Sequence, residues 1–187
     1  QLVVTAGAAY APTGAKFAVD CVAGKFELNG NAACADTPAG HVGRVANDAH
    51  AFANDVGALY SSPCSAGYFR VAAAVGTTAD CVDIAAGKQG QLVVTAGAAY
   101  AATGAKFAVD CVAGKFELNG DAACQPCVAG KFQANAGQTS CGTVPAGSVG
   151  RVANTAGTFT ANEAGAVYTK LCSVNYYRTA AHSTSLD

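Results

Sequence analysis

The sequence contains no tryptophan and no methionine, and only 12% of its residues are charged, against about 25% in an average globular protein. Leu, Ile, Val and Phe together number 36 of the 187 residues, whereas alanine alone numbers 44 and glycine 22. Alanine buries too little apolar area per residue to offset backbone entropy, so a single conventional core is not expected. The net charge of −1 argues equally against a highly charged disordered chain.

Two further absences exclude classes of partner. The 11 Lys and Arg do not exceed the 12 Asp and Glu, so no basic surface for nucleic acid is expected. No run of about 18 apolar residues is present, so the sequence predicts no transmembrane segment.

Residues that commonly carry chemistry are also scarce. The three histidines and the few carboxylates form no catalytic or metal-ligating pattern, and no phosphate-binding loop is recognisable. The sequence therefore predicts that the protein is not an enzyme. It also predicts no catalytic residue, no cofactor-binding residue and no metal site.

In contrast to these scarce residue types, the sequence contains nine cysteines. Without Cys/His clusters of zinc-binding spacing, cysteines in this number indicate an oxidising compartment. We therefore expect an extracellular or cell-surface protein.

The chain consists of internal repeats. Residues 1–34 and 91–124 align without gaps and differ only where Pro12 faces Ala102 and Asn31 faces Asp121. A second match joins 38–47 (PAGHVGRVAN) to 145–154 (PAGSVGRVAN) at a longer offset. An added copy of one small unit, at 127–143, accounts for the longer offset. Repeats of this kind predict an array of modules rather than one globule.

The smaller unit opens with Cys-x-Ala-Gly-x-aromatic, and related units keep Ala-Gly but lack the cysteine. We call the two kinds disulfide modules and cysteine-free modules. The predicted boundaries are 1–20 (partial, cysteine-free), 21–36 (disulfide), 37–63 (cysteine-free), 64–83 (disulfide), 84–110 (cysteine-free, a repeat of 1–20), 111–126 (disulfide), 127–143 (inserted, disulfide), 144–171 (cysteine-free) and 172–187 (truncated, disulfide).

The pattern of cysteine loss predicts the disulfides. Where the opening residue is Thr37, Ile84 or Val144, the expected closing cysteine is missing as well. Paired loss is what bonds within modules predict, because a leftover thiol would be reactive. The predicted bonds are Cys21–Cys34, Cys64–Cys81, Cys111–Cys124 and Cys127–Cys141.

Cys172 copies Cys64, and its expected partner would fall at about residue 189, beyond Asp187. Gln1 copies Gln91, which lies within a module. We therefore expect Cys172 to be unpaired in this sequence, which would represent part of a longer array.

The fold class predicted is mainly β and irregular: an extended tandem array of small disulfide-stapled hairpin modules with no single large core. Lys25–Leu28 before Asn29-Gly30 is typical of a hairpin arm, and 16–22 and 106–112 alternate as strands do. Residues 51–60 are ambiguous and could hold a short helix. The apolar starts of two cysteine-free segments are candidate assembly strands, which would pair with another chain through exposed edges: Leu2, Val3, Val4, Leu92, Val93 and Val94.

The segment Cys124-Gln-Pro-Cys127-Val-Ala-Gly-Lys-Phe, closed by Cys141, carries a family resemblance. It resembles the cysteine-rich repeats of ciliate surface (immobilisation) antigens. It is also similar to the ephrin-receptor-like and TNF-receptor-like extracellular repeats. The resemblance implies an extracellular setting and, for the antigens, a lipid-anchored coat. It transfers no catalytic residue.

We therefore expect a structural extracellular protein that forms a surface coat or a filament by self-association. Thr- and Ser-rich loops make O-linked glycans a further expectation, and a lipid anchor would lie outside this sequence. The alternative is a binding ectodomain, either a receptor or an adhesin. Its candidate ligand patch is Tyr176, Tyr177 and Arg178 in the divergent last module.

Overall fold

The computed structural model describes residues 20–27, 33–45, 53–95, 98–153 and 161–177. Short β-strands and turns dominate these residues, with one 3-10 turn at Ala72–Ala74. The strands are β1 (Lys25–Phe26), β2 (Ala35–Asp36), β3 (His41–Arg44), β4 (Tyr60–Pro63), β5 (Tyr68–Phe69), β6 (Val82–Asp83), β7 (Lys88–Gln91), β8 (Phe107–Asp110), β9 (Lys115–Phe116), β10 (Gln125–Pro126), β11 (Lys131–Phe132), β12 (Gly142–Thr143), β13 (Ser148–Arg151) and β14 (Tyr168–Leu171).

Consecutive strands pair into seven two-stranded antiparallel sheets, β1–β2 through β13–β14. Each sheet lies within one module, and each second strand ends at the last residue of that module. The prediction of a mainly β chain made of small hairpins without a large core is confirmed.

Four disulfides join the same pairs that the sequence predicts. Their Cα–Cα distances are 5.7 Å for Cys21–Cys34, 5.9 Å for Cys64–Cys81, 5.5 Å for Cys111–Cys124 and 5.8 Å for Cys127–Cys141. These distances are ordinary for a disulfide. Cys172 is a free thiol.

The chain divides into two compact units. Unit 1 comprises 1–84, 90–93 and 101–108, and unit 2 comprises 85–89, 94–100 and 109–187. Strands β1–β6 belong to unit 1 and β9–β14 to unit 2, while β7 and β8 contribute residues to both. Within unit 1, Val42 packs with the Cys64–Cys81 disulfide and the partly buried Tyr68.

The apolar segment after Gln91 is not a strand within a single chain, and its pairing with a second chain stays a prediction. Strand β7 ends at Gln91, and Leu92 and Val93 form a bend that continues into the irregular Val94. The physical reason is that pairing with β8 uses Lys88–Gln91, whose last three residues are buried, so the hydrogen-bonded ladder precedes the apolar segment. The copy of this segment at Leu2, Val3 and Val4 lies outside the described residues.

Two other local predictions have mixed outcomes. No helix forms over 53–60, which contains a turn at Val56-Gly57 and leads into β4; the rest of the ambiguous segment lies outside the described residues. The strand predicted over 106–112 is present as β8, although its copy at 16–22 is described only from Asp20 onward.

Candidate functional site: the module junctions

The opening residue of every module from 21–36 to 144–171 is buried. In the disulfide modules this residue is a cysteine. In the cysteine-free modules Thr37, Ile84 or Val144 occupies the same place. The position therefore forms the centre of each module whether or not a disulfide is present.

In the cysteine-free modules, a glycine of the first strand lies close to an alanine and to the opening residue. In 144–171, a Cβ added to Gly150 would lie 2.9 Å from Cβ of Ala166 and 3.1 Å from Cγ2 of Val144. Gly90 is enclosed in the same way by Ala105 and Ile84. Glycine on the first strand thus leaves room for both the alanine and the opening side chain to pack against that strand.

The first junction contact is a main-chain hydrogen bond between neighbouring modules. The fourth residue of each module from 21–36 to 144–171, here called the turn glycine, has a positive φ, which glycine tolerates. Its carbonyl accepts from the N–H of the next module's opening residue at 2.7–3.0 Å. The seven donor and acceptor pairs are Thr37–Gly24, Cys64–Gly40, Ile84–Gly67, Cys111–Gly87, Cys127–Gly114, Val144–Gly130 and Cys172–Gly147.

The second junction contact occurs at the disulfide modules. Two of their main-chain groups, here called the loop-binding pair, hold a two-residue loop of the next module. The carbonyl of the opening cysteine accepts from the N–H of a glycine in that loop. The N–H of the disulfide module's seventh residue donates to the carbonyl of the residue that follows this glycine. The loops held by the modules that open at Cys21, Cys64, Cys111 and Cys127 are Gly57-Ala58, Gly104-Ala105, Gly137-Gln138 and Gly165-Ala166.

Cysteine-free modules use the seventh position differently. In two of them the seventh residue is Gly43 or Gly150, and its N–H donates to a side-chain oxygen of Asn54 or Asn162 in the same module. The loop-binding pair is therefore a property of the disulfide modules.

Four of the turn glycines also meet the module after next. A Cβ on Gly40 would overlap the carbonyl oxygen of Gly104, and one on Gly114 would overlap that of Gly165. Gly24 and Gly87 are restricted in the same way by Thr77 and Gly137. Each of these four turns thus packs main chain on main chain, where no side chain fits.

Arg70 is the largest fully buried side chain in the described part of the chain, at 1% exposure. Its guanidinium donates to Oγ1 of Thr37 at 3.0 Å. The remaining acceptors are main-chain carbonyls of two modules, those of Thr37, Pro38, His41, Ala74, Thr77 and Ala79. Burial lowers the pKa of Arg70, and Asp80 partly opposes this. Because the pKa of an arginine starts far above neutrality, the group stays charged and acts as a cross-link.

Sequence reasoning missed Arg70. One signal could have revealed it: the motif Cys64-Ser-Ala-Gly-Tyr-Phe-Arg70 recurs as Cys172-Ser-Val-Asn-Tyr-Tyr-Arg178. Arg178 therefore copies Arg70, although the ectodomain hypothesis places Arg178 in a ligand patch. Arg178 lies outside the described residues.

A small pocket of about 190 Å³ lies in unit 2, lined in part by Gln89, Tyr100 and Lys115. The Gln89 amide donates to the carbonyl of Ala98 and accepts from the N–H of Cys124. Burial raises the pKa of the Tyr100 phenol, and Asp121 and Glu117 raise it further. The Gln89 contacts link parts of two modules, so this side chain serves the junction as well.

The other described residues that were predicted as sites are not brought together into one site. Leu92, Val93 and Val94 are exposed, and so are Tyr176 and Tyr177. Asn175 occupies the turn-glycine position of the last module and has φ 73°, a backbone conformation that asparagine tolerates better than most residues.

No family model matches the chain, and comparison with curated proteins finds no match. The four disulfides and the small hairpins fit a cysteine-rich repeat module, and they indicate formation in an oxidising, extracellular or secretory environment. Across the five described ranges, no helix is long and apolar enough to cross a membrane. The same ranges contain no cluster of three or more potential metal-ligating side chains.

Proposed function

We propose that this protein is a structural extracellular repeat protein that self-associates into a surface coat or a filament. The observation that carries the proposal is the uniform use of main-chain groups at the junctions. Because the turn-glycine bond and the loop-binding pair do not depend on a particular side chain, one module can follow another with the same contacts. This is the design of repeat proteins whose contacts propagate along an array.

The resemblance to ciliate surface antigens and to receptor-type cysteine-rich repeats supports the extracellular setting. The disulfides suit a protein exposed outside the cell, because each restricts the unfolded chain independently of a large core. A coat protein also benefits from near-identical modules, which present similar surfaces at regular intervals.

Sedimentation velocity and electron microscopy of the oxidised chain test the proposal. From low micromolar to millimolar concentration, we expect growth from monomers to longer species. Monodisperse monomers across the whole range would overturn it.

A binding ectodomain is the second candidate, favoured by the exposed side chains of Val174, Tyr176 and Tyr177. Exposed tyrosines are common at the centres of protein interfaces. Replacing Tyr176 and Tyr177 by alanine should abolish capture on arrays of glycans or extracellular proteins. Capture that persists in this double variant would contradict the ectodomain proposal.

A further inference from the structure

The loop closed by the Cys111–Cys124 disulfide contains the dipeptide Asn119-Gly120. Asn119 is exposed, and its side-chain amide has no hydrogen-bond partner among the described residues. Gly120 is buried and has φ 89°, a backbone conformation that glycine adopts far more readily than other residues. The Asn119 side chain is therefore free to turn towards a main-chain nitrogen that is held in place.

A buried carboxylate lies on this main-chain nitrogen. Glu117 is 4% exposed, and its Oε2 accepts from the N–H of Gly120. Two main-chain hydrogen bonds fix the position of Glu117. Its N–H donates to the carbonyl of Gln138 at 3.2 Å, and its carbonyl accepts from the N–H of Gly87 at 2.9 Å. The carboxylate is thus placed where it can receive the proton of the Gly120 amide.

We propose that Asn119-Gly120 is a site of self-modification, at which Glu117 acts as the general base for deamidation. The Gly120 nitrogen attacks Cγ of Asn119 while its proton passes to the Glu117 carboxylate. The new N–Cγ bond closes a cyclic imide, and the side-chain nitrogen of Asn119 takes the proton and leaves as ammonia. Glycine favours this step because it has no Cβ to obstruct the ring. Water then opens the imide at either carbonyl, which leaves aspartate or isoaspartate at position 119.

The modification acts on a contact between two modules. The phenol of Tyr100, in module 84–110, donates to the carbonyl of Asp121, which follows the modified dipeptide in module 111–126. An isoaspartate adds one carbon to the main chain between Glu117 and Asp121, and either product adds a negative charge beside Asp121. The site therefore alters this junction with time, and water is the only reactant that it consumes.

Peptide mass spectrometry of the oxidised protein, incubated at neutral pH, tests the proposal by following the conversion of amide to acid. Asn119 should convert faster than Asn135 and Asn175, which are also exposed but precede alanine and tyrosine. Asn119→Gln should abolish conversion at position 119, because the longer side chain does not close the same ring. Conversion at Asn119 that is no faster than at Asn135 and Asn175 would overturn the proposal.

The repeat supplies a matched control for Glu117. Residues 21–30 and 111–120 are identical in sequence, so Glu27 and Asn29 correspond to Glu117 and Asn119. Glu117→Gln should slow conversion at Asn119 about 10-fold, which is less than the usual contribution of a positioned general base because a carboxylate is a weak base. Conversion at Asn29 in the same variant should keep its wild-type rate. An unchanged rate at Asn119, or equal slowing at both asparagines, would show that Glu117 is not the base and would overturn the proposal.

Discussion

The guanidinium of Arg70 donates to Oγ1 of Thr37, and that hydroxyl in turn donates to the carbonyl of Gly24. The two bonds measure 3.0 and 2.9 Å and connect three consecutive modules. Thr37 occupies the position that is cysteine in the disulfide modules. The residue that replaces the cysteine therefore links its module to both neighbours.

Replacing Arg70 by methionine should lower the free energy of unfolding by about 3 kcal/mol or more, because several buried carbonyls would lose their donor. Thermal or denaturant unfolding measures the effect. Lys88→Met is the matched control, since the Lys88–Asp110 pair is exposed and should contribute less than about 1 kcal/mol. Equal losses in both variants would contradict the assignment of Arg70 as a cross-link.

A comparison of the Gly40→Ala and Gly147→Ala variants distinguishes the cost of backbone strain from the cost of lost packing at the junction. Both glycines have a positive φ, so each substitution should cost about 1–2 kcal/mol for the backbone alone. A Cβ on Gly40 would also overlap main chain of Gly104, whereas one on Gly147 would meet nothing within 4 Å. Gly40→Ala should therefore destabilise by about 1–3 kcal/mol more. Denaturant unfolding measures the difference, and similar costs would show that the packing of Gly40 on Gly104 is unimportant.

Partial reduction should open the Cys64–Cys81 disulfide last. Both of its cysteines are buried, whereas the closing cysteines Cys34, Cys124 and Cys141 of the other three bonds are half-buried. Exchange requires access of the attacking thiolate to sulfur. A limiting thiol reductant followed by alkylation and mass spectrometry gives the order. Early loss of Cys64–Cys81 would mean that unit 1 opens more readily than its packing indicates.

Alkaline pH should weaken the β5–β6 hairpin through Tyr68. A hydrogen bond to the Asp83 carboxylate, together with the charge of that carboxylate, raises the pKa of the Tyr68 phenol. A raised pKa in the folded state means that the contribution is present below the unfolded value of about 10 and is lost as pH rises through the folded pKa.

Phenolate absorbance at increasing pH measures the Tyr68 effect. Asp83→Asn should lower the pKa of Tyr68 towards its ordinary value, and Tyr68→Phe should remove one of the tyrosines that ionise late. An unchanged titration curve in Asp83→Asn would contradict the role of the carboxylate.

The residue pattern alone was enough to predict the disulfide pairs and the small β hairpins. Each of these is encoded locally: cysteines 13 to 17 residues apart close their own loops, and glycine at the fourth position permits a tight turn. Comparison of repeats adds the positions where both cysteines are lost together.

The contacts between modules, in contrast, could not be predicted from the residue pattern and are visible only in the folded chain. The loop-binding pairs and the turn-glycine contacts use main-chain groups, so they cannot be predicted from a pattern of side chains. Burial of Arg70 depends on carbonyls up to 33 residues away along the chain, and the end of β7 at Gln91 depends on its pairing with β8. Such contacts form between segments that are far apart in the sequence and close together in the fold. The order of residue types does not show which segments come together.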